Sequence, residues 1–239
     1  MGYSVSAYLV RGVLVDTGFP AAAADLARML AELRPRGAVV THAHEDHAGN
    51  VELLARRGVP LAIAPATRAA VERAKPIGFY RRFTWGAMPP LRSAVAPFNP
   101  APFALLPAPG HSPDHHIVWD AERETLFGGD LFLGVKVRVA HHGEDPRLLA
   151  RTARMAADLR PRRLFDAHRG LVERPTAALR AKADWLEETV GRIDRRIAEG
   201  WSDRAIRTDV LGPEEPTGYF SLGDYSRLMF VRAVRDSNE

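Results

Sequence analysis

The chain contains no cysteine among its 239 residues. Disulfide bonds, thiolate nucleophiles and cysteine-ligated metal sites are therefore excluded. Any metal ion would have to be held by histidine, aspartate or glutamate side chains. The absence of cysteine does not indicate a redox compartment, because a cysteine-free protein suits oxidising and reducing surroundings equally well.

Long apolar runs are also missing. No stretch approaches the roughly 18–20 apolar residues that span a bilayer. The N-terminal segment MGYSVSAYLVRG lacks the charged segment and the long apolar segment of a signal peptide. We therefore expect no membrane association and a cytoplasmic location.

Lysine is scarce. Only three of the 33 basic residues are lysine, so the formal net charge of +4 comes almost entirely from arginine. The arginines are spread along the whole chain, whereas a dedicated nucleic-acid face usually clusters them. The charge pattern therefore disfavours a nucleic-acid partner without excluding one.

The remaining composition is that of a globular protein, with 46% hydrophobic and 26% charged residues. Short apolar strands alternate with helical segments in the first part of the chain, and the pattern becomes helical after Pro175. We predict an α/β catalytic core over 1–175 and a helical C-terminal extension over 176–239 that packs on the core. The proline-rich stretch 76–102 predicts an irregular loop, and Ser221 is the expected N-cap of a final helix over 222–234.

The histidines carry the chemical signal. Three of the nine occur in the hexapeptide H-A-H-E-D-H at positions 42–47, which follows a strand-like run and precedes a helix. In extended or turn backbone His42 and His44 share a side, so both can serve one metal ion. Asp46 and His47 come next along the turn and can serve a second metal ion.

Other polar residues follow other apolar strands, where an α/β scaffold gathers its functional groups. Each is flanked by glycine or proline: Asp16 in D-T-G, His111 in G-H-S-P, Asp130 in G-G-D and His168 in A-H-R-G.

The ordered set D-T-G, H-x-H-x-D-H-A-G, G-H-S-P-x-H, G-G-D and A-H-x-G resembles the metallo-β-lactamase superfamily. The motifs extend from Asp16 to His168. The resemblance implies a four-layer αββα sandwich with its site at one edge. By motif, it implies one metal held by His42, His44 and His111, a second held by Asp46, His47 and His168, and Asp130 bridging the two. Asp16 resembles the family's structural aspartate. This residue supports the loop of residues 42–47, here called the histidine loop, without binding metal.

The family generally uses two zinc ions, although some members hold iron or manganese, and histidine and carboxylate donors suit all three metals. At two positions the chain differs from particular branches of the family, and these differences exclude those branches from the expectation. Cysteine-bearing lactamases place cysteine at the position of Asp130, which argues against antibiotic hydrolysis. The iron-containing flavoprotein branch has glutamate at the position of His44, which argues against that redox chemistry.

The charges favour a particular mechanism. Two divalent cations outweigh the negative charges of Asp46 and Asp130, and this favours a metal-bridging hydroxide as nucleophile. Asp46 is then the expected catalytic residue, orienting the nucleophile and shuttling its proton. Because the chain lacks the G-x-S-x-G motif, a side-chain nucleophile is not expected.

We therefore expect a dinuclear metal hydrolase, similar to the glyoxalase II and lactonase branch, acting on a small ester, thioester or lactone. The alternative is a phosphodiesterase or ribonuclease, because the same site can attack phosphorus. A persulfide dioxygenase-like enzyme with one iron is less favoured, since Asp46, His47 and His168 complete the second site. The expected partner is a small-molecule substrate, and a homodimer is left open.

Overall fold

The computed structural model describes residues 4–74 and 77–237, and the chain divides into two compact units. The first, here called the sheet unit, comprises the described residues of Met1–Pro107, Asp114–Asp130 and Arg163–Val172. The second, here called the helical unit, comprises those of Ala108–Pro113, Leu131–Arg162 and Glu173–Glu239. The expected division after residue 175 stays a prediction.

The sheet unit contains two β-sheets. The first has four strands in the order β1-β2-β3-β4, namely Tyr8–Val10, Val13–Val15, Gly37–Val40 and Leu61–Ile63. Its first two strands are antiparallel and its other neighbours are parallel. The second sheet has five strands in the order β5 to β9, namely Phe103–Pro107, His116–Asp120, Thr125–Phe127, Arg163–Asp166 and Gly170–Val172. Only β7 and β8 pair in parallel there.

Helices cover one face of the first sheet. They are a 3₁₀ turn at Pro20–Ala22 followed by α1 at Ala23–Leu33, α2 at Val51–Arg56 and α3 at Pro65–Arg73. Successive side chains of a strand point to opposite faces. Leu14 accordingly packs with the helices, in a cluster that includes Leu30 and Leu54. Its neighbours Val13 and Val15 belong to a second cluster that contains Phe103, Val118 and Phe127 of the other sheet.

One further helix of the sheet unit, α4 at Phe79–Trp85, lies inside the predicted irregular stretch 76–102. The prediction of an irregular loop is therefore wrong for Phe79–Trp85. Pro76, the first residue of the predicted loop, lies outside the described residues. Helix α4 buries little apolar surface, because its residues Phe79 and Phe83 are exposed. A hydrophobic pattern without a buried face does not distinguish a helix from a loop.

The helical unit contains α5 at Pro146–Asp158, α6 at Pro175–Ala198, α7 at Asp203–Ile206, a π-helical turn at Arg207–Leu211, α8 at Pro216–Phe220 and α9 at Arg227–Asp236. The start of α5 is specified locally, since Asp145 accepts hydrogen bonds from the backbone N–H groups of Arg147 and Leu148. Among the described residues, no helix is both long and apolar enough to cross a membrane.

Candidate metal centre

Asp16 holds the histidine loop in place from the end of β2. Its backbone is left-handed, with φ of 61°. One carboxylate oxygen accepts the backbone N–H of Thr41 at 2.8 Å, and the other accepts the Thr41 hydroxyl at 2.9 Å and faces Nδ1 of His47 at 2.8 Å. Both carboxylate oxygens thus support the loop, which agrees with the structural role expected for this residue.

The tautomer of His42 follows from this arrangement. The Thr41 hydroxyl donates its single proton to Asp16, so it accepts the hydrogen bond that joins it to Nδ1 of His42 at 3.0 Å. His42 consequently carries its proton on Nδ1 and presents the lone pair of Nε2. That atom lies 3.0 Å from Nδ1 of His44.

Asp130 completes the first group of donors in the sheet unit. It offers a ligand atom within 4.8 Å of those of His42 and His44. Two imidazoles and a carboxylate at such distances suit a divalent cation of the zinc type. The structure therefore brings these predicted ligands together, although their binding of metal stays a prediction.

The second group consists of Asp46, His47, Asp130 and His168, whose ligand atoms all lie within 4.8 Å of one another. Nδ1 of His47 donates to Asp16, and Nδ1 of His168 donates to the carbonyl of Ser4 at 2.7 Å. Both rings therefore direct Nε2 towards the carboxylates. Nε2 of His47 lies 3.2 Å from Oδ1 of Asp130, and Nε2 of His168 lies 3.3 Å from the same atom.

The charges in this group are strongly coupled. Burial disfavours the charged ring of His168, but the nearby Asp130 and Asp46 carboxylates outweigh burial and raise the pKa of His168 to about 10. The same balance raises the pKa of His47 well above its ordinary value. Burial opposes ionisation of Asp46, yet the two rings lower its pKa. Without a metal, protons thus compensate the carboxylates, which is the role a cation would take over.

The donor chemistry fits a metal ion. Nε2 of His47 is fully buried and makes no hydrogen bond of good geometry with a described residue, which is costly for a polar atom unless a cation or water satisfies it. The Nδ1 atoms of His42, His47 and His168 are held by a hydroxyl, a carboxylate and a carbonyl, respectively, as is usual for metal ligands.

His115 supports Asp130 instead of adding a donor. Its Nε2 accepts the backbone N–H of Asp130 at 3.1 Å. A Cβ at Gly129 would lie 2.8 Å from that nitrogen, so the small residue is needed for this close approach. A carboxylate oxygen of the neighbouring Asp114 accepts the backbone N–H of Ala43 at 2.9 Å.

His111 lies in the helical unit and is buried there beside His141 and Glu144. Its expected role as the third histidine of the first metal stays a prediction. His141 and Glu144 carry no sequence signal beyond their positions after Asp130, and the sequence did not identify Glu144.

The sequence also missed the contacts of α4. Arg81 forms a two-pronged ion pair with the buried carboxylate of Glu45, inside the histidine loop, with both N–O distances 2.6 Å. Trp85 lies beside His168, with ring centroids 6.2 Å apart, and beside Phe19 at 5.4 Å. No local motif marks such pairs, because their members are about 30 to 80 positions apart in sequence.

The fold and the donor groups together define the class of protein. The model of the metallo-β-lactamase superfamily matches residues 1–168, and the chain belongs to this superfamily. The predicted metallo-β-lactamase fold with additional C-terminal helices is thereby confirmed.

The individual relatives are only distantly similar to this chain in sequence. The chain is 27% identical over 172 residues to the beta-lactamase-like protein 2 homolog of Caenorhabditis elegans, covering 68% of this chain and 53% of that protein. It therefore spans about half the length of this relative. A solved structure of TTHA1623 in a di-iron-bound form is 26% identical, with a TM-score of 0.57, covering 77% of this chain and 97% of the other. A metallo-beta-lactamase from Erythrobacter litoralis, 21% identical with a TM-score of 0.57 over 76% of this chain and 83% of the other, shows the shared fold.

Proposed function

We propose that the protein is a dinuclear metal-dependent hydrolase that acts on a small ester, thioester or lactone. The observation that carries the proposal is the convergence of Asp46, His47, Asp130 and His168 within 4.8 Å, with His42 and His44 also within that distance of an Asp130 donor atom. Such an arrangement allows one carboxylate to be shared by two cations.

The ligand assignment follows the donor groups. His42, His44 and His111 would hold the first ion, and Asp46, His47 and His168 the second, with Asp130 shared. Zinc is the preferred metal because the superfamily generally uses it and these donors bind it well. Iron and manganese suit the same donors, and a similar structure contains two iron ions.

When bound, the two ions would supply an activated water molecule and would polarise the substrate oxygen under attack. The chain's own residues prepare the site for that chemistry. Asp16 fixes the orientation of His47, and Thr41 fixes that of His42. Asp46 is the catalytic carboxylate of the proposal, since it would orient the nucleophilic water and accept its proton at a carboxylate oxygen.

The direct test combines metal analysis with a substrate panel. Elemental analysis of the purified protein should find two divalent ions per chain, and a panel of esters, thioesters, lactones, phosphodiesters and RNA should show hydrolysis of a carbonyl substrate. His42→Ala and Asp130→Ala should lose both bound metal and turnover, whereas the exposed neighbour variant His142→Ala should lose neither. Normal hydrolysis by metal-depleted protein would overturn the proposal.

The same panel decides between the alternatives. Preferential cleavage of RNA or phosphodiesters would support the nuclease hypothesis. One iron per chain with oxidation of a persulfide would support the dioxygenase hypothesis. A homodimer and a cytoplasmic location stay predictions, and light scattering of the purified protein tests the first.

A further inference from the structure

His111, His141 and Glu144 form a partly buried cluster within the helical unit, and each offers a ligand atom within 4.8 Å of the others. Oε1 of Glu144 lies 3.3 Å from Nδ1 of His111 and 3.3 Å from Nε2 of His141. Only His111 belongs to the proposed metal ligands. The other two residues therefore require a separate explanation.

The position of Glu144 relative to His111 is set by backbone contacts. The N–H of Asp145 donates to the carbonyl of Gly110 at 2.7 Å, so the residues next to these two are brought side by side. The approach is close, because a Cβ at Gly110 would lie 2.4 Å from the backbone nitrogen of Leu149. Glycine is therefore required in the G-H motif, with its φ of 135°.

The start of α5 keeps Glu144 in this position. Asp145 caps the helix through two backbone N–H groups, and the N–H of Glu144 donates to the carbonyl of His141 at 3.2 Å. His141 is itself oriented, since its Nδ1 donates to the carbonyl of His142 at 2.8 Å. Glu144 thus belongs to a short turn whose backbone is held by hydrogen bonds on both sides, and this places the start of its side chain next to His111.

We infer that Glu144 is a positioning residue that fixes His111 in the tautomer with its proton on Nδ1. A carboxylate is only an acceptor, so Nδ1 must donate, and Nε2 is then left as the metal-binding atom. A carboxylate behind a metal-bound imidazole also increases its basicity. The inference rests on the proposed function, because it assumes that His111 binds metal.

The test compares Glu144→Ala and Glu144→Gln with Glu187→Gln, a change at an exposed carboxylate of the helical unit that pairs with Arg154. Metal affinity is measured by competition with a chromophoric chelator. Glu144→Ala should bind one of its two ions about 10- to 100-fold more weakly. Glu144→Gln should recover part of this loss, because its amide oxygen still accepts from Nδ1. Glu187→Gln should resemble the wild type.

A second readout does not depend on turnover. Nitrogen-15 NMR of the imidazoles in metal-free protein should report the Nδ1–H tautomer of His111 in the wild type and a mixture of tautomers in Glu144→Ala, with thermal unfolding showing that the variant is folded. A variant that is only less stable would keep the wild-type tautomer of His111. His111→Ala identifies the resonance.

Each outcome separates this inference from the proposed function. Wild-type affinity together with an unchanged tautomer in Glu144→Ala overturns the inference. A third metal ion per chain that Glu144→Ala removes also overturns it, because the cluster would then be a metal site of its own. Two bound metals without hydrolysis of any panel substrate would instead refute the proposed function alone.

Discussion

Glu45 and Arg81 form a buried, two-pronged ion pair between the histidine loop and α4. Glu45 is only 2% exposed, and burial raises its pKa while the positive charge of Arg81 partly offsets that effect. The pair joins the segment that carries the metal ligands to a helix whose outer aromatic residues are exposed. The ion pair therefore couples the position of α4 to the integrity of the loop.

Removing Arg81 should destabilise the protein. Arg81→Met leaves the Glu45 carboxylate buried without its cation, and the free energy of unfolding in urea should fall by about 3 kcal/mol. Adding Glu45→Gln should recover part of the loss, because the buried charge is then absent. The exposed neighbour Arg82 supplies the matched control Arg82→Met. Equal stability of Arg81→Met and Arg82→Met would show that the ion pair contributes nothing.

Asp16 should affect metal binding without contacting the metal. Asp16→Asn keeps the size of the side chain but removes the negative charge that faces Nδ1 of His47. Affinity for the second ion, which His47 would hold, should fall about 10- to 100-fold in a chelator competition titration. Asp25→Asn, at an exposed carboxylate that pairs with Arg28, is the control. If both variants keep wild-type affinity, the supporting role of Asp16 is refuted.

Removal of metal should lower thermal stability. Buried carboxylates and imidazoles converge at Asp130, and a bound cation compensates them better than protons do. Holding metal at 100-fold its dissociation constant stabilises a protein by about 3 kcal/mol, so a chelator should lower the unfolding midpoint by roughly 5–10 °C. Scanning fluorimetry measures the shift, and added metal should reverse it.

His42→Ala is the informative comparison for this shift. Having lost one ligand of the first ion, the variant should respond to the chelator less than the wild type does. A wild-type midpoint that is the same with and without chelator would contradict the prediction, provided that elemental analysis shows that the metal was removed.

The sequence indicated the candidate donor residues because they lie in short motifs that follow apolar strands. His42 follows the end of β3 by two residues, and His168 follows the end of β8 by two residues. Local spacing is sufficient for such residues, since strand pairing in the family fold brings strand ends to one edge. The contacts of Arg81 and Trp85 could not be predicted, because they depend on where α4 lies.

The final helix shows the same limit. Ser221 was the expected N-cap, but α9 begins after Ser226, whose hydroxyl accepts the N–H of Met229 at 3.0 Å. The first N–H groups of α9 are also satisfied from a distance, because Glu214 accepts the N–H of Arg227 at 2.9 Å. Two serines of similar capping propensity are thus distinguished by a contact that the local sequence does not contain.

Trp85 should contribute to substrate binding more than to chemistry. Its ring lies beside that of His168 and packs on Phe19, so it can cover an apolar group of a substrate next to the second group of donors. Trp85→Ala should raise KM about tenfold for esters with apolar acyl groups, as expected when burial of such a group is partly lost. The value of kcat should change little, and Trp85→Phe should retain most of the affinity.

Phe83→Ala, at an exposed position of the same helix, controls for effects on α4 itself. Steady-state kinetics with acyl chains of increasing length decides the matter, since an equal change in KM for polar and apolar substrates would show that Trp85 does not contact the acyl group.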